Sequence, residues 1–154
     1  MTKPDFVYTT YIKTTPEKLW SALTTPEFNR QYWGPGIVSD WKKGATWQIA
    51  SDEAGSSVHV AGEVLESRPP HRLALSWFDP SNPEDDSKVT FTIDTVDDMV
   101  RLTVIHGDFK SGSKMATGIA LGWPRVLSSM KSFLETGKAL NTWAGDDHGC
   151  TNPR

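Results

Sequence analysis

The stretch from Lys114 to Gly137 has the pattern of one long amphipathic helix, and it constrains the fold more than any other segment. At about 100° per residue, its large apolar side chains fall within one arc of about 100°, opposite the polar ones. Pro124 lies inside the pattern, so we expect a kink there or the start of a second helical segment. Gly137 suits the residue that ends a helix. The apolar residues are Met115, Ile119, Trp123, Val126, Met130, Phe133 and Leu134.

A helix with a single apolar face needs a partner, and the preceding sequence predicts a sheet. Apolar and polar residues alternate in short segments separated by polar turns rather than by helices, which is typical of an antiparallel meander. We expect the acidic segment Asp79–Asp86 to be a polar, mobile loop. The predicted strands cover residues 6–13, 37–41, 46–50, 58–67, 72–78, 88–96 and 100–106.

Two short helices are predicted directly after the first strand. Thr14 and Glu17 have the spacing of a capping box, and Pro16 suits a first helical turn. The same signal recurs at Thr24–Glu27 and opens a second short helix. The predicted order is therefore a strand, two short helices, a meander and one long helix, which is an α+β arrangement.

Bulk properties exclude several classes of function. The net charge of −3 and the isoelectric point near 5.8 argue against binding to nucleic acid. No apolar run approaches the ~20 residues that span a bilayer, and the N-terminus lacks a signal-peptide pattern. The lone cysteine, Cys150, fits a reducing compartment, so we expect a cytoplasmic protein. Residues 141–154 show no periodicity and are predicted to be a disordered tail.

Several sequence motifs, in order, resemble the activator of heat-shock protein 90 ATPase-like family of the START-like (SRPBCC) superfamily. They are VYTTYIKTTPEKLWSALT, YWG, SDWKKG, GEVLESRPPHRLALSW, KVTFTI, RLTVIHGDF and GWPRVLSSMKSFLETG. The resemblance covers about residues 5–140 and implies the helix-grip fold, in which a long C-terminal helix packs across a curved antiparallel sheet. It also implies an apolar ligand held between sheet and helix, or a chaperone partner and a role in the stress response.

The chain contains seven tryptophans, a number that suits either a core or the wall of a cavity. Trp77 is in phase with Leu73 and Leu75 along its strand, and Trp47 is in phase with Ile49, so both indoles should point towards the helix. Trp123 lies on the apolar arc of the helix and faces back. The predicted ligand-binding residues are Trp33, Trp47, Trp77, His106, Phe109, Met115, Ile119 and Trp123.

His106 is the polar residue of greatest interest because strand parity places it on the same face as Leu102 and Val104. One interpretation is a polar anchor at the mouth of a cavity, or a weak candidate for a general base acting with Asp108. The other is a structural histidine that is hydrogen-bonded to backbone and holds the following loop.

No other pattern calls for a reaction. The sequence lacks a GxSxG motif and a phosphate-binding loop, and His148 with Cys150 does not complete a metal site. We therefore expect no cofactor and no metal, and a binding protein rather than an enzyme. A cyclase- or hydrolase-type enzyme and a co-chaperone remain alternatives, as do a monomer and a homodimer. Gly118 and Gly122 fit either close packing or space left for a ligand.

Overall fold

The computed structural model describes residues 5–33, 36–50 and 58–140, so the predicted tail 141–154 lies outside the described residues. These residues form one antiparallel sheet in the order β1-β7-β6-β5-β4-β3-β2. Strands β2 to β7 are sequential neighbours, and β1 closes the far edge by pairing with β7. The strands are β1 (Phe6–Ile12), β2 (Gly36–Ser39), β3 (Thr46–Ala50), β4 (Val58–Arg68), β5 (Arg72–Asp79), β6 (Asn82–Val96) and β7 (Met99–Gly107).

Three helices accompany this sheet in the described part of the chain: α1 (Pro16–Thr24), α2 (Pro26–Tyr32) and α3 (Lys114–Thr136). The N-cap of α1 is Thr15, whose hydroxyl accepts a hydrogen bond from the Lys18 amide at 3.2 Å. The N-cap is therefore one residue later than predicted, and Lys18 at the third helical position cannot complete a capping box. Gly137, at a φ of 82°, ends α3 as predicted.

Helix α3 is continuous from Lys114 to Thr136, so the predicted start of a second segment at Pro124 is wrong. Proline removes only the hydrogen bond to the carbonyl four residues earlier, which belongs to Ala120. Ala120 is exposed, and water can satisfy its carbonyl there. The buried face of α3 on both sides of Pro124 then holds the helix as one element.

The predicted loop Asp79–Asp86 is the clearest error of the sequence analysis, because β6 already begins at Asn82. A tight turn makes this possible: the Asp79 carboxylate accepts hydrogen bonds from the amide and the hydroxyl of Ser81. Acidic residues have low strand propensity, so the sequence favoured a loop. The hairpin between β5 and β6, whose register pairs Asp79 with Asn82, overrides that preference.

The core lies between the sheet and the three helices. Leu102, Val104 and His106 are fully buried on the inner face of β7, as parity predicts, whereas Ile105 on the outer face is exposed. Helix α3 contributes a buried stripe of Ile119, Trp123, Val126, Leu127 and Met130. The predicted helix-grip α+β fold is confirmed. No helix among the described residues is long and apolar enough to cross a membrane.

Candidate ligand-binding site

A small enclosed cavity lies between α3 and the inner face of the sheet, with α1 and α2 closing its side. The volume open to the centre of a water-sized sphere is about 10 Å³, which is room for about one water molecule. The wall is almost entirely apolar. It is lined by Leu23, Tyr32, Trp33, Ile37, Trp41, Leu73, Leu75, Trp77, Phe91, Trp123, Val126 and Leu127.

Tryptophan rings form much of this wall and lie against one another. The ring centroids of Trp77 and Trp123 are 5.3 Å apart, and those of Trp33 and Trp123 are 5.9 Å apart. Trp47 packs behind Trp77 at 4.9 Å, and Phe91 meets Trp123 edge to face at 5.7 Å. Trp123 is therefore the centre of an aromatic cluster to which Trp33 at the end of α2, β5, β6 and α3 each contribute.

Asn29 fixes the side of the cavity formed by α1 and α2. Its buried amide nitrogen donates to the Ala22 carbonyl at 2.8 Å, and its amide oxygen accepts from the Ile37 amide at 2.9 Å. The Tyr32 hydroxyl donates to the same Ala22 carbonyl, and burial raises the pKa of Tyr32 well above its usual value. Sequence reasoning missed Asn29, since one asparagine in a short helix carries no pattern.

The indole N–H groups of the buried tryptophans differ in whether they find a partner. Trp47 donates to the Ser76 carbonyl at 2.9 Å, and Trp123 donates to Nδ1 of His106 at 3.0 Å. Trp33 and Trp77 are buried and line the cavity, yet their N–H groups find no acceptor among the described residues. The Thr14 hydroxyl is likewise buried without a described partner, but it does not line the cavity.

His106 lies behind the aromatic cluster, inside a directional chain of hydrogen bonds. Because Trp123 donates to Nδ1, the ring proton of the neutral imidazole is on Nε2, which donates to the Ser87 hydroxyl at 2.8 Å. That hydroxyl donates in turn to the Trp77 carbonyl at 3.0 Å. Burial lowers the pKa of His106 to about 3, so the ring is neutral at physiological pH.

This geometry agrees in full with neither interpretation of His106. The ring points inward as predicted, but it does not line the cavity and is not at a mouth. Its partners are the side chains of Ser87 and Trp123, not the backbone groups that the structural interpretation proposed. Both ring nitrogens are engaged, so neither has a free lone pair for a general base. Asp108 is exposed and makes none of the described hydrogen bonds to the ring.

Comparison with known proteins agrees with this architecture. Residues 13–135 match the family model described as Activator of Hsp90 ATPase homolog 1-like protein. The chain belongs to this family. No curated protein matches the chain. The family match confirms the resemblance inferred from the sequence motifs.

Solved structures of Activator of Hsp90 ATPase homologs and other proteins share the fold. The Aha1 dimer from Colwellia psychrerythraea has a TM-score of 0.73 and 20% identity, over 89% of this chain and 100% of that one. CalU16 from Micromonospora echinospora has a TM-score of 0.71 and 21% identity, over 89% and 77%. PFC0360w, an HSP90 activator from Plasmodium falciparum, has a TM-score of 0.59 and 26% identity, over 71% and 76%.

The structure brings three of the eight predicted ligand-binding residues of this family member to the cavity: Trp33, Trp77 and Trp123. Phe109 stacks on His106 with ring centroids 5.2 Å apart, and both lie outside the cavity wall. Ile119 is buried, and Met115 is half-buried at the start of α3, but neither lines the cavity. Trp47 does not line the cavity, but it packs against Trp77, which does. A ligand contact for any of these residues remains a prediction.

Trp41 is the cavity residue whose position depends most on tertiary structure. Its backbone adopts a φ of 58°, in the left-handed region that is unusual for tryptophan. The Ser39 hydroxyl accepts from its amide at 3.0 Å, and the Ser67 hydroxyl donates to its carbonyl at 2.7 Å. No sequence pattern signals this conformation. Leu73 and Leu75 were detectable from their inward parity, and Val126 was detectable from the periodicity of the helix.

A second, open pocket lies on the surface where α1 and α2 meet the C-terminal half of α3. Its volume is about 360 Å³, and its lining combines apolar side chains with Glu17, Lys18 and Ser21. Phe28 is 40% exposed there and packs against Phe133, at 6.2 Å between ring centroids. This groove is larger than the inner cavity but is open to solvent.

Proposed function

We propose that this domain binds a small apolar or aromatic molecule in the inner cavity between α3 and the sheet. The observation that carries the proposal is the wall of the cavity, where four tryptophans meet and the buried N–H groups of Trp33 and Trp77 have no partner among the described residues. A site enclosed by apolar and aromatic side chains with few polar groups is typical of small-molecule binding.

The unliganded cavity holds about one water molecule, so binding requires its walls to move apart. The leucine side chains of the wall, Leu23 and Leu127 among them, can change rotamer, and α3 can shift relative to the sheet. A ligand that buries about 300 Å² of apolar surface gains about 7 kcal/mol before the costs of binding and rearrangement. A gain of that size corresponds to a dissociation constant of about 10 µM, and the costs of binding and rearrangement make the actual binding weaker.

The test uses a panel of aromatic and acyl compounds, followed by tryptophan fluorescence and melting temperature together. Val126→Phe places a ring in the cavity and should abolish binding. Val104→Phe is the matched control, because Val104 is equally buried but does not line the cavity. Binding that survives in Val126→Phe but not in Val104→Phe would put the ligand elsewhere, and a panel without any hit would contradict the proposal.

Regulation of a heat-shock chaperone ATPase is the second candidate function. It is supported by the family match and by the 26% identity to the Plasmodium HSP90 activator. The groove at Phe28 offers an apolar surface for a partner protein. The decisive measurement is the ATPase rate of a purified Hsp90 with and without this domain. If the ATPase rate is unchanged when the domain is saturating, this candidate function is contradicted. If the domain raises the rate, loss of that effect in Phe28→Ser would identify the groove as the contact surface.

A further inference from the structure

We infer that the ligand of the inner cavity carries a carbonyl oxygen that accepts hydrogen bonds from the indole N–H groups of Trp33 and Trp77. This inference rests on the proposed function and names the chemical class of its ligand. Both residues line the cavity, and their N–H groups are the buried donors there without a partner among the described residues. The N–H groups of Trp47 and Trp123 are both paired, with Ser76 and His106.

A buried donor without an acceptor costs free energy, so native structures rarely retain one without a reason. Here the lining side chains supply no acceptor, since they are apolar apart from the tryptophans and Tyr32. The Tyr32 hydroxyl already donates to Ala22 and accepts from Asn29. A molecule that enters the cavity can therefore supply the acceptor that Trp33 and Trp77 lack among the described residues.

Because the lining side chains offer unpaired N–H donors and no acceptors, they favour a ligand group that accepts hydrogen bonds and donates none. A water molecule or an alcohol could accept from the indoles, but each would bring hydrogens of its own that find no acceptor in this wall. A carboxylate would be buried without a cationic side chain among the lining residues, which is costly. A carbonyl oxygen has two lone pairs and no hydrogen. A flat aromatic ketone therefore suits both the donors and the aromatic walls.

Three compounds of one shape test this selection: indane, 1-indanone and 1-indanol. They differ only in a methylene, a carbonyl or a hydroxyl group at one ring position. Isothermal titration of the full chain should show 1-indanone binding at least about tenfold more tightly than indane or 1-indanol. Hydrophobicity alone predicts the opposite order for indane and the ketone, because indane gains more on leaving water.

The indole signals in a two-dimensional nitrogen–proton spectrum give a readout that requires no variant. On addition of 1-indanone, the N–H signals of Trp33, Trp77 or both should move downfield, whereas indane should leave them near their free positions. Trp33→Phe and Trp77→Phe assign the signals and should each reduce the ketone preference. In the double variant the preference for the ketone over indane should disappear, whatever the smaller rings do to the affinity for both compounds. Trp47→Phe is the control, since its N–H is paired and lies outside the cavity.

The outcomes separate this inference from the proposed function. If the three compounds bind equally tightly, or if the ketone preference survives in the double variant, the carbonyl inference is overturned and the cavity remains a binding site. If none of them binds and the wider panel also gives no hit, both fail. A ketone preference accompanied by a downfield indole shift supports both.

Discussion

The two ends of the interface between α3 and the sheet are built in opposite ways. At the end near the start of α3, the polar groups of His106, Ser87 and Trp123 are all paired, and Phe109 stacks on the imidazole. At the other end, around Trp33 and Trp77, the walls leave a cavity and two indole donors without described partners. We refer to them as the paired end and the cavity end.

Trp77 and Trp123 belong to both ends, since each lines the cavity and contacts His106, and Trp123 shows what the difference means. Its ring faces the cavity, while its N–H is held by His106. A satisfied buried network fixes the position of each of its members, whereas an unsatisfied apolar pocket leaves room for an additional molecule. The paired end therefore orients Trp123, which is one wall of the cavity. Sequence reasoning selected His106 as a ligand anchor, but in the structure it holds the indole of Trp123 through a hydrogen bond.

The largest effect is expected from placing a charge at the cavity end. Val126→Asp buries an unpaired carboxylate between α3 and the sheet and should cost several kcal/mol of unfolding free energy. Leu121→Asp is the matched control on the same helix, because Leu121 is 56% exposed, and it should cost less than about 0.5 kcal/mol. Urea denaturation measures both. Equal stability of the two variants would show that this face of α3 does not pack as described.

At the paired end, we expect His106 to make the free energy of unfolding depend on pH. The folded pKa of His106, about 3, lies below the unfolded value of about 6.5, so the unfolded state binds an extra proton between them. The free energy of unfolding should therefore fall as the pH drops below about 6.5, by up to about 1.4 kcal/mol per pH unit.

Replacing the ring isolates this contribution from the carboxylates that titrate in the same range. His106→Gln should be less stable than wild type at about pH 7, and the difference between the two should shrink towards about pH 5. Chemical denaturation at about pH 7, 6 and 5 measures it. A difference that stays constant over this range would mean that the imidazole titrates equally in both states and is not buried as the structure shows.

The smallest effect concerns the tether that holds the start of α3 at the paired end. The Asp85 carboxylate accepts hydrogen bonds from the Ser113 hydroxyl at 2.6 Å and from the Lys114 and Met115 amides at 3.0 Å each. Asp85→Ala should cost about 1 kcal/mol, as the loss of a helix cap does. Glu84→Ala, at an exposed neighbouring position, should be neutral. A thermal melt that ranks the two variants the other way would contradict the tether.

The candidate site was only partly accessible from the sequence. Parity along β5 and the periodicity of α3 predicted that Trp77 and Trp123 face each other, because these patterns repeat over several turns or residues. The position of Trp41 depends on a left-handed backbone conformation. The hydrogen bonds of Asn29 depend on α1, α2 and β2 lying side by side. His106 was correctly predicted to point inward, but parity does not reveal which neighbour meets its ring. Three of eight predicted residues consequently line the cavity.

The sequence by itself determined the order of elements, the buried faces of β5, β7 and α3, and the family, because local periodicity and motif order encode all of these. The tertiary structure alone decided which N–H groups are paired. Trp47, Trp77 and Trp123 are chemically identical side chains, yet the indole N–H of Trp47 meets the Ser76 carbonyl, that of Trp123 meets His106, and that of Trp77 meets no described acceptor. Hydrogen bonds are short and directional, so an acceptor's presence depends on exact placement in three dimensions.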